Sequence, residues 1–257
     1  MLKRIVPHSI SYDTVQRINN YASIFLYTST IVSVGISILS YNKLKPELQT
    51  ALIVINSIFI CLFLFLDSRA NYIFTKAEMK RRLDWLDNSF QTNFSGKKSQ
   101  GYFTNEKLSP GLHKLAVNCF ENSYHTQFII SKMLSLIIAQ TLIIVLAFVV
   151  SAYFGNREII RLFFELSLPA FLVQKLFKAI IYSSRIAEVH DKFKCLFNDL
   201  LNNDFDSKTA EALRDILEYE TALSWASIPL SSKIFLKNRD KLAKEWSELK
   251  NEYKINL

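Results

Sequence analysis

Three long stretches without a charged residue limit what this chain can fold into more than any other feature. They cover residues 18–42, 48–66 and 133–156 and contain 25, 19 and 24 residues. A helix that crosses the hydrocarbon core of a bilayer needs about 20 consecutive apolar residues. Backbone polar groups in lipid must also be satisfied within the helix itself. We therefore predict three membrane-spanning α-helices.

A fourth segment, residues 159–184, has a less apolar composition. It carries four charged residues around the apolar core LSLPAFLVQ. This pattern fits either a fourth span or an amphipathic helix that lies in the membrane interface. The short link GNRE at 155–158 favours a tight hairpin and an antiparallel return. We therefore predict that this segment spans the membrane.

The distribution of Lys and Arg predicts the orientation. Residues 67–132 carry ten of them and residues 1–18 carry three, whereas the hairpin 43–47 carries two. Cytoplasmic loops of membrane proteins carry an excess of Lys and Arg. We therefore predict that both termini and the 67–132 connection are cytoplasmic. The formal net charge of +8 first indicates contact with anionic lipid, and second a phosphate-bearing ligand.

These observations predict an all-α fold, a four-helix transmembrane bundle with helical cytoplasmic extensions that is homo-oligomeric. The predicted segments are an N-terminal hairpin at 1–66 (spans about 19–41 and 49–66), a cytoplasmic connection at 67–132, a second hairpin at 133–184 (spans about 133–154 and 159–182) and a cytoplasmic tail at 185–257.

The cytoplasmic segments have helical patterns. The pattern of the second span continues past Leu66, and a further helical stretch leads into the third span. Asp206 or Ser207 is predicted to cap a helix that runs to about Trp225, before Pro229. Apolar residues recur at helical spacing along two tail helices. They are Ile186, Val189, Phe193, Leu196, Phe197, Leu200 and Leu201 in the first, and Leu242, Trp246, Leu249 and Tyr253 in the last.

Polar residues inside the predicted spans are candidates for a pore lining. In the first span, four serines fall on one narrow stripe, which fits close helix packing better than a hydrated pore. In the fourth span, charged residues lie on one side and either line a pore or extend to the membrane surfaces. The pore-lining candidates are Ser29, Ser33, Ser37, Ser40, Glu165, Lys175 and Lys178.

Basic and aromatic residues of the connection are candidates for ligand binding. A basic cluster follows the second span, and a second pair of lysines lies in a glycine-containing loop. Basic groups, loop amides and aromatic rings together can hold a nucleotide or oligonucleotide, although a solvated basic surface has the same composition. The ligand-binding candidates are Lys80, Arg81, Arg82, Trp85, Lys97, Lys98 and Tyr102.

The sequence contains no recognised catalytic signature such as GxSxG, HExxH or a Walker A motif. Its four histidines and three cysteines show no metal-ligand spacing. We therefore predict that the chain is not an enzyme and has no metal or cofactor.

The layout of two spans, a connection of about 66 residues, two spans and a helical tail resembles a known class of bacterial proteins. These are the small four-span membrane effectors encoded beside nucleotidyltransferases in anti-phage loci. They include the SMODS-associated four-span effectors of cyclic-oligonucleotide systems and the membrane effector of Hailong systems. The stretch 83–128, which begins LDWLDNSF and ends SYHTQF, is also similar to this class.

The resemblance implies an effector of the bacterial inner (plasma) membrane that forms a homo-oligomeric ion channel, with a tetramer favoured. Its ligand would be a nucleotide or short DNA oligomer made by a partner nucleotidyltransferase, and opening would depolarise the infected cell. Two alternatives use the same spans. One is a non-conducting scaffold or sensor that anchors a cytoplasmic partner. The other is a small transporter, which the absence of a clear inverted repeat disfavours.

Overall fold

A computed structural model of the chain describes residues 6–41, 46–99, 104–154 and 159–255. Within its helices, the side chains of 37–41, 148, 151, 152, 154 and 159–170 are not described. Within the described ranges, every regular element is helical, as the sequence predicts. The elements are α1 (Ser9–Tyr41), α2 (Pro46–Phe90), α3 (Leu112–Phe154), α4 (Ile159–Asp199), a 3-10 helix (Phe205–Lys208), α5 (Thr209–Ala226) and α6 (Ser232–Glu252).

Helices α2, α3 and α4 are much longer than a bilayer requires. They contain 45, 43 and 41 residues, and a rise of about 1.5 Å per residue makes each roughly 60 Å or more in length. The hydrocarbon core is only about 30 Å thick. The prediction that the second span continues as one helix is confirmed, because α2 runs unbroken to Phe90.

The described chain divides into two compact units, and α2, α3 and α4 contribute residues to both. The polar unit comprises Met1–Tyr12, Phe74–Met133 and Ala179–Leu257, and the apolar unit comprises Asp13–Ile73 and Leu134–Lys178. The segment boundaries predicted from sequence fall at 66, 132 and 184. The polar unit thus contains the N-terminal segment, most of the middle connection and the C-terminal tail.

The apolar unit has a small interior and a large apolar surface. Its buried core is limited to one cluster, made of Ala22, Leu26, Ile60, Phe63, Ile144 and Leu172. Large aliphatic and aromatic side chains are exposed on all four of its helices, including Phe177 of α4. Among them are Ile24, Ile31, Val54, Ile58, Leu64, Phe65, Leu136, Leu142, Ile143, Leu146 and Val149. A water-soluble protein rarely exposes so much contiguous apolar surface.

Among the described residues, two helices have the length and composition of membrane spans. The most apolar windows of Pro46–Phe90 and Leu112–Ala147 have mean hydropathies of 2.3 and 2.2, and only 17% and 22% of each window is buried. A core helix of a soluble protein would be covered by its neighbours. The second and third predicted spans therefore have this support, and the first and fourth remain predictions.

The polar unit has an aromatic core. Phe120 of α3 is fully buried and stacks on Phe193 and Phe197 of α4, with ring centroids 6.0 Å and 5.1 Å away. Trp246 of α6 meets the same ring edge-on at 5.3 Å. The predicted packing seam of α4 is confirmed from Ile186 to Phe197, whereas Leu200 is partly buried and Leu201 is exposed. The buried members are Ile186, Val189, Phe193, Leu196 and Phe197.

One predicted helix cap is wrong. Asp206 and Ser207 lie inside the 3-10 helix, and α5 starts after Lys208, which makes no side-chain cap. The extra turn moves the helix start, and the hydroxyl of Ser207 instead bonds back to the carbonyl of Asp204 at 2.7 Å. The predicted end of α5 is correct within one residue. The helix ends at Ala226.

Candidate functional site

Arg81, one of the predicted ligand-binding residues, lies in the interior of the polar unit. Its guanidinium donates to both carboxylate oxygens of Glu220 at 2.8 Å and, through Nε, to Glu78 at 2.9 Å. The hydroxyl of Tyr12 donates to the other oxygen of Glu78. Arg81 therefore joins α2 to α5, and through Glu78 it is connected to the start of α1.

The charges around Arg81 are mutually stabilising. Burial by itself would lower the pKa of the Arg81 guanidinium, but the carboxylates of Glu78 and Glu220 outweigh it and hold that pKa well above its ordinary value. Arg81 is thus a permanent cation with bound carboxylates. We infer a structural role for it in the described chain, since its donors are directed at protein acceptors.

The neighbours of Arg81 differ in exposure. Arg82 is half-buried, and donates to Glu220 at 2.7 Å and also to Ser224. Trp85 is only 4% exposed and belongs to the core, so its ring is not available to stack on a ligand at the surface. Lys80 is exposed.

Two buried carboxylates of α2 hold the loop that carries Lys97 and Lys98. Asp87 accepts hydrogen bonds from the hydroxyl of Thr92 at 2.7 Å, the amide of Phe94 at 2.7 Å, and the amide and hydroxyl of Ser95 at 2.8 and 2.6 Å. One turn earlier, Asp84 accepts from the amide of Ser99 at 2.8 Å and from its hydroxyl at 2.5 Å. The loop therefore folds over the end of α2 with a defined shape.

This arrangement leaves Lys97 and Lys98 exposed. Gly96 lies beside them at φ +67°, a left-handed conformation that glycine adopts without strain. Tyr102 lies outside the described residues. The described members of the predicted ligand set therefore separate into buried Trp85, partly buried Arg81 and Arg82 (side chains 12% and 35% exposed), and exposed Lys80, Lys97 and Lys98.

The far side of the loop is held by a buried polar network. Asn105 donates to Asn118 of α3 at 3.0 Å and to Glu121 at 2.9 Å. Asn118 in turn donates to Asn88 at 3.0 Å and Ser89 at 3.2 Å near the end of α2. Within the stretch 83–128, the described residues 104–128 are thus hydrogen-bonded to the end of α2.

Replacing Asp87 with Asn is expected to open the loop. Hydrogen bonds to an ionised group contribute about 1.5–3 kcal/mol each. The NH2 group of an asparagine is a donor, so at this position it would face the loop donors and could not accept their hydrogen bonds. Trypsin cleavage after Lys97 or Lys98 should become at least about tenfold faster, measured by limited proteolysis in detergent. Asp191→Asn is the matched control, because Asp191 is exposed and pairs only at 3.5 Å with Lys194. Equal cleavage rates in both variants would contradict the assignment.

Asp87 is also expected to protect the loop from proteolysis to the same extent at every pH above about 4. Burial acts to raise the pKa of Asp87, but its hydrogen bonds, from Ser95 first, outweigh it and lower the pKa from 3.8 to about 2. A carboxyl with a lowered folded-state pKa stabilises the fold fully above its unfolded pKa and loses that contribution as pH falls toward the folded value. The difference in cleavage by the acid protease pepsin between the native chain and Asp87→Asn should therefore shrink as the pH falls from about 4 to about 2.

Two of the predicted pore serines are occupied in helix packing within the apolar unit. Ser29 of α1 donates to the side-chain carbonyl of Asn56 in α2 at 2.7 Å, and the amide of Asn56 donates to Ser33 at 2.9 Å. All three side chains are buried. The geometry favours the packing interpretation for Ser29 and Ser33. The side chains of Ser37 and Ser40 lie outside those described.

Replacing Asn56 with Val is expected to weaken the α1–α2 contact. A hydrogen bond between membrane helices contributes about 0.6–2 kcal/mol, and both serines would lose their partner. The measurement is unfolding by increasing SDS fraction in mixed micelles, followed by circular dichroism. Ser57→Ala is the control, since Ser57 bonds only to the carbonyl of Ile53 in its own helix. A midpoint unchanged from that of the control would show that the contact carries no stability.

The charged pore candidates of the fourth span have one described electrostatic partner. Lys175 and Lys178 both interact with Asp67 of α2, which also accepts a hydrogen bond from Asn71 at 3.1 Å. Both lysines are exposed in the single chain. The side chain of Glu165 lies outside those described.

No group of three or more potential metal ligands occurs among the described residues. Two of the histidines have packing roles. His8 is buried 3.6 Å from Asp84. His190 is buried with Nδ1 3.1 Å from the hydroxyl of Ser123, and burial lowers its pKa to about 4.

Sequence reasoning missed the acidic partners that define this region. Glu220 is 139 positions away from Arg81, and nothing in its local pattern distinguishes it from a solvated acid. Asp84 and Asp87 had a detectable signal. They are three residues apart at the end of a helical pattern, just before a loop rich in Ser, Thr and Gly, where a carboxylate can accept several backbone donors.

Comparisons of the chain with protein-family models, curated proteins and solved structures gave no match.

Proposed function

We propose that the chain is a four-span protein of a bacterial inner membrane that forms a homo-oligomeric, ion-conducting pore controlled by a nucleotide or short oligonucleotide. In this proposal it is an effector of anti-phage defence, and a partner nucleotidyltransferase supplies the ligand. The observation that carries the membrane assignment is the exposure of the apolar windows in α2 and α3, which are 17% and 22% buried.

The predicted orientation has support from contacts within the polar unit. Tyr12 near the N-terminus bonds to Glu78 of the connection, and Arg81 of the connection bonds to Glu220 of the tail. Segments that share one folded unit must lie on the same side of a membrane. This agrees with cytoplasmic placement of both termini and of the 67–132 connection.

Among the described residues of the predicted ligand-binding set, three are exposed and can reach a ligand in solution. They are Lys80, Lys97 and Lys98. Lys97 and Lys98 lie in a loop with defined hydrogen bonds, so they need little ordering when an anion binds. An oligomer would bring several copies of this loop together.

A non-conducting scaffold is the second candidate, and one observation favours it. Ser29 and Ser33 face Asn56 within the same chain, which removes two polar groups from any pore. A scaffold would still bury the apolar unit in lipid and would present the polar unit to a cytoplasmic partner.

Planar-bilayer recording of the purified protein distinguishes the two candidates. We expect unitary currents whose open probability changes when cyclic or linear oligonucleotides are added on the side of the polar unit. Lys97→Gln/Lys98→Gln should reduce that response, whereas Lys241→Gln/Lys244→Gln on α6 should not. Electrical silence under all these conditions would refute the channel and leave the scaffold.

A further inference from the structure

We propose that the corner between α5 and α6 is a second membrane-contacting surface that binds the headgroups of anionic phospholipids. The corner consists of Trp225, the connection 227–231 and the first turns of α6. This inference rests on the membrane assignment proposed above and adds a lipid preference to it.

The position of the corner is fixed by a contact with α3. The backbone amide of Ser231 lies 3.3 Å from the sulfur of Met133, the first residue of the third uncharged stretch. The headgroup layer is about 5–8 Å thick on each side of the hydrocarbon core. If the stretch that starts at Met133 crosses the core, Ser231 and its neighbours lie in that layer.

Further contacts show that the end of α5 and the start of α6 lie near the level of Met133. Along α4, Lys192 pairs with Glu218 at 2.5 Å, and Arg185 lies over the ring of Trp225 at 5.1 Å. Helix α5 therefore runs toward the membrane end of α4. Helix α6 runs away from it along α3, since Tyr124 bonds to Glu245.

The corner has the composition of an interfacial membrane contact. Trp225 is 41% exposed and Leu236 is 64% exposed. Lys233 precedes Leu236 by three residues and Lys237 by four, and both lysines are exposed in the first turns of α6. Trp at the headgroup level and Lys beside it are typical of membrane interfaces.

The charges around the corner select anionic lipid. Arg185 lies over Trp225, and Lys132 precedes Met133 directly and is exposed. With Lys233 and Lys237 they provide four cationic side chains on the helices that meet at the corner. Each Lys or Arg near an anionic surface adds attraction that decreases within a Debye length. A zwitterionic surface offers no such gain.

The native tryptophans provide the test. The chain has three tryptophans, and Trp85 and Trp246 are buried, so Trp225 is the exposed one. The full-length protein is reconstituted into vesicles that contain a phosphatidylcholine with a nitroxide on its headgroup, with or without phosphatidylglycerol. We expect quenching of up to about one third of the emission in phosphatidylglycerol vesicles, less in phosphatidylcholine vesicles, and almost none in Trp225→Phe.

Lys233→Gln/Lys237→Gln should reduce the quenching in phosphatidylglycerol vesicles to the level in phosphatidylcholine. Lys241→Gln/Lys244→Gln, on the same helix but farther from Ser231, should not change it. Quenching that is absent, or that ignores both lipid charge and the lysine pair, would overturn the inference. Flotation of the same vesicles separates the two claims, because a protein that floats without Trp225 quenching refutes only the lipid surface, whereas one that fails to float refutes the membrane assignment.

Discussion

Replacing Arg81 with Met is expected to destabilise the polar unit by about 3–5 kcal/mol, because it leaves the carboxylate of Glu78 without its cation and that of Glu220 with only the half-buried Arg82. Glu78 and Glu220 are 9% and 15% exposed at the side chain. In a unit of this size, such a loss lowers the melting temperature by roughly 6–20 °C. All three tryptophans lie in the polar unit, so intrinsic fluorescence during heating in detergent reports on it directly.

Arg82→Met provides the matched comparison. Arg82 contacts the same Glu220, but its side chain is 35% exposed, and exposed pairs contribute about 0–1 kcal/mol. The double variant Arg81→Met/Glu220→Met should recover part of the loss, since the uncompensated charge is reduced. Equal melting temperatures for Arg81→Met and Arg82→Met would show that the interior pair does not stabilise the unit.

Replacing Phe120 with Ala should have a similar effect for a different reason. The ring is fully buried and contacts rings from α4 and α6, including Phe197 and Trp246. Removing a buried Phe costs about 3–5 kcal/mol, from lost transfer free energy and from the cavity that remains. The fluorescence of Trp246, 5.3 Å away, should shift to longer wavelength if water enters.

Phe94→Ala tests whether burial of the Phe120 ring is the cause of the stability loss in Phe120→Ala. Phe94 is 64% exposed in the loop after α2, so its removal should change stability by no more than about 0.5 kcal/mol. A comparable loss in both variants would contradict the assignment of Phe120 to the centre of the core.

The helical segments of this chain are readable from sequence because their signals are local and long. A run of about twenty uncharged residues predicts a long apolar helix whatever lies elsewhere, and the spacing of Phe193 and Phe197 already predicts a packing face. The position of Pro229 also predicted the end of α5, because proline cannot continue a helix. These features depend on neighbours within a few turns.

The site was less predictable because its partners are distant in the chain. A basic run such as Lys80–Arg82 has the same local pattern whether it binds a ligand, lipid or an internal acid. Only the folded structure shows that the guanidinium of Arg81 is bound by the carboxylate of Glu220. The serine stripe of α1 likewise has the same sequence pattern whether it lines a pore or packs against another helix. For Ser29 and Ser33, the packing interpretation is favoured only because Asn56 of α2 is hydrogen-bonded to both.

The proposed membrane location requires that lipid surrounds the exposed apolar side chains of α2 and α3. Native cysteines allow a direct measurement. Cys61 is exposed within the apolar run of α2, Cys195 is exposed on α4 in the polar unit, and Cys119 is buried. Cys195→Ser and Cys61→Ser each leave one exposed thiol for a nitroxide label.

The measurement is the accessibility of each nitroxide, in reconstituted vesicles, to oxygen, which concentrates in lipid, and to a water-soluble nickel complex. We predict that the label at Cys61 is relaxed by oxygen and shielded from nickel, and that the label at Cys195 shows the reverse. Nickel accessibility at Cys61 equal to that at Cys195 would mean that water surrounds this surface, and the membrane assignment would be wrong.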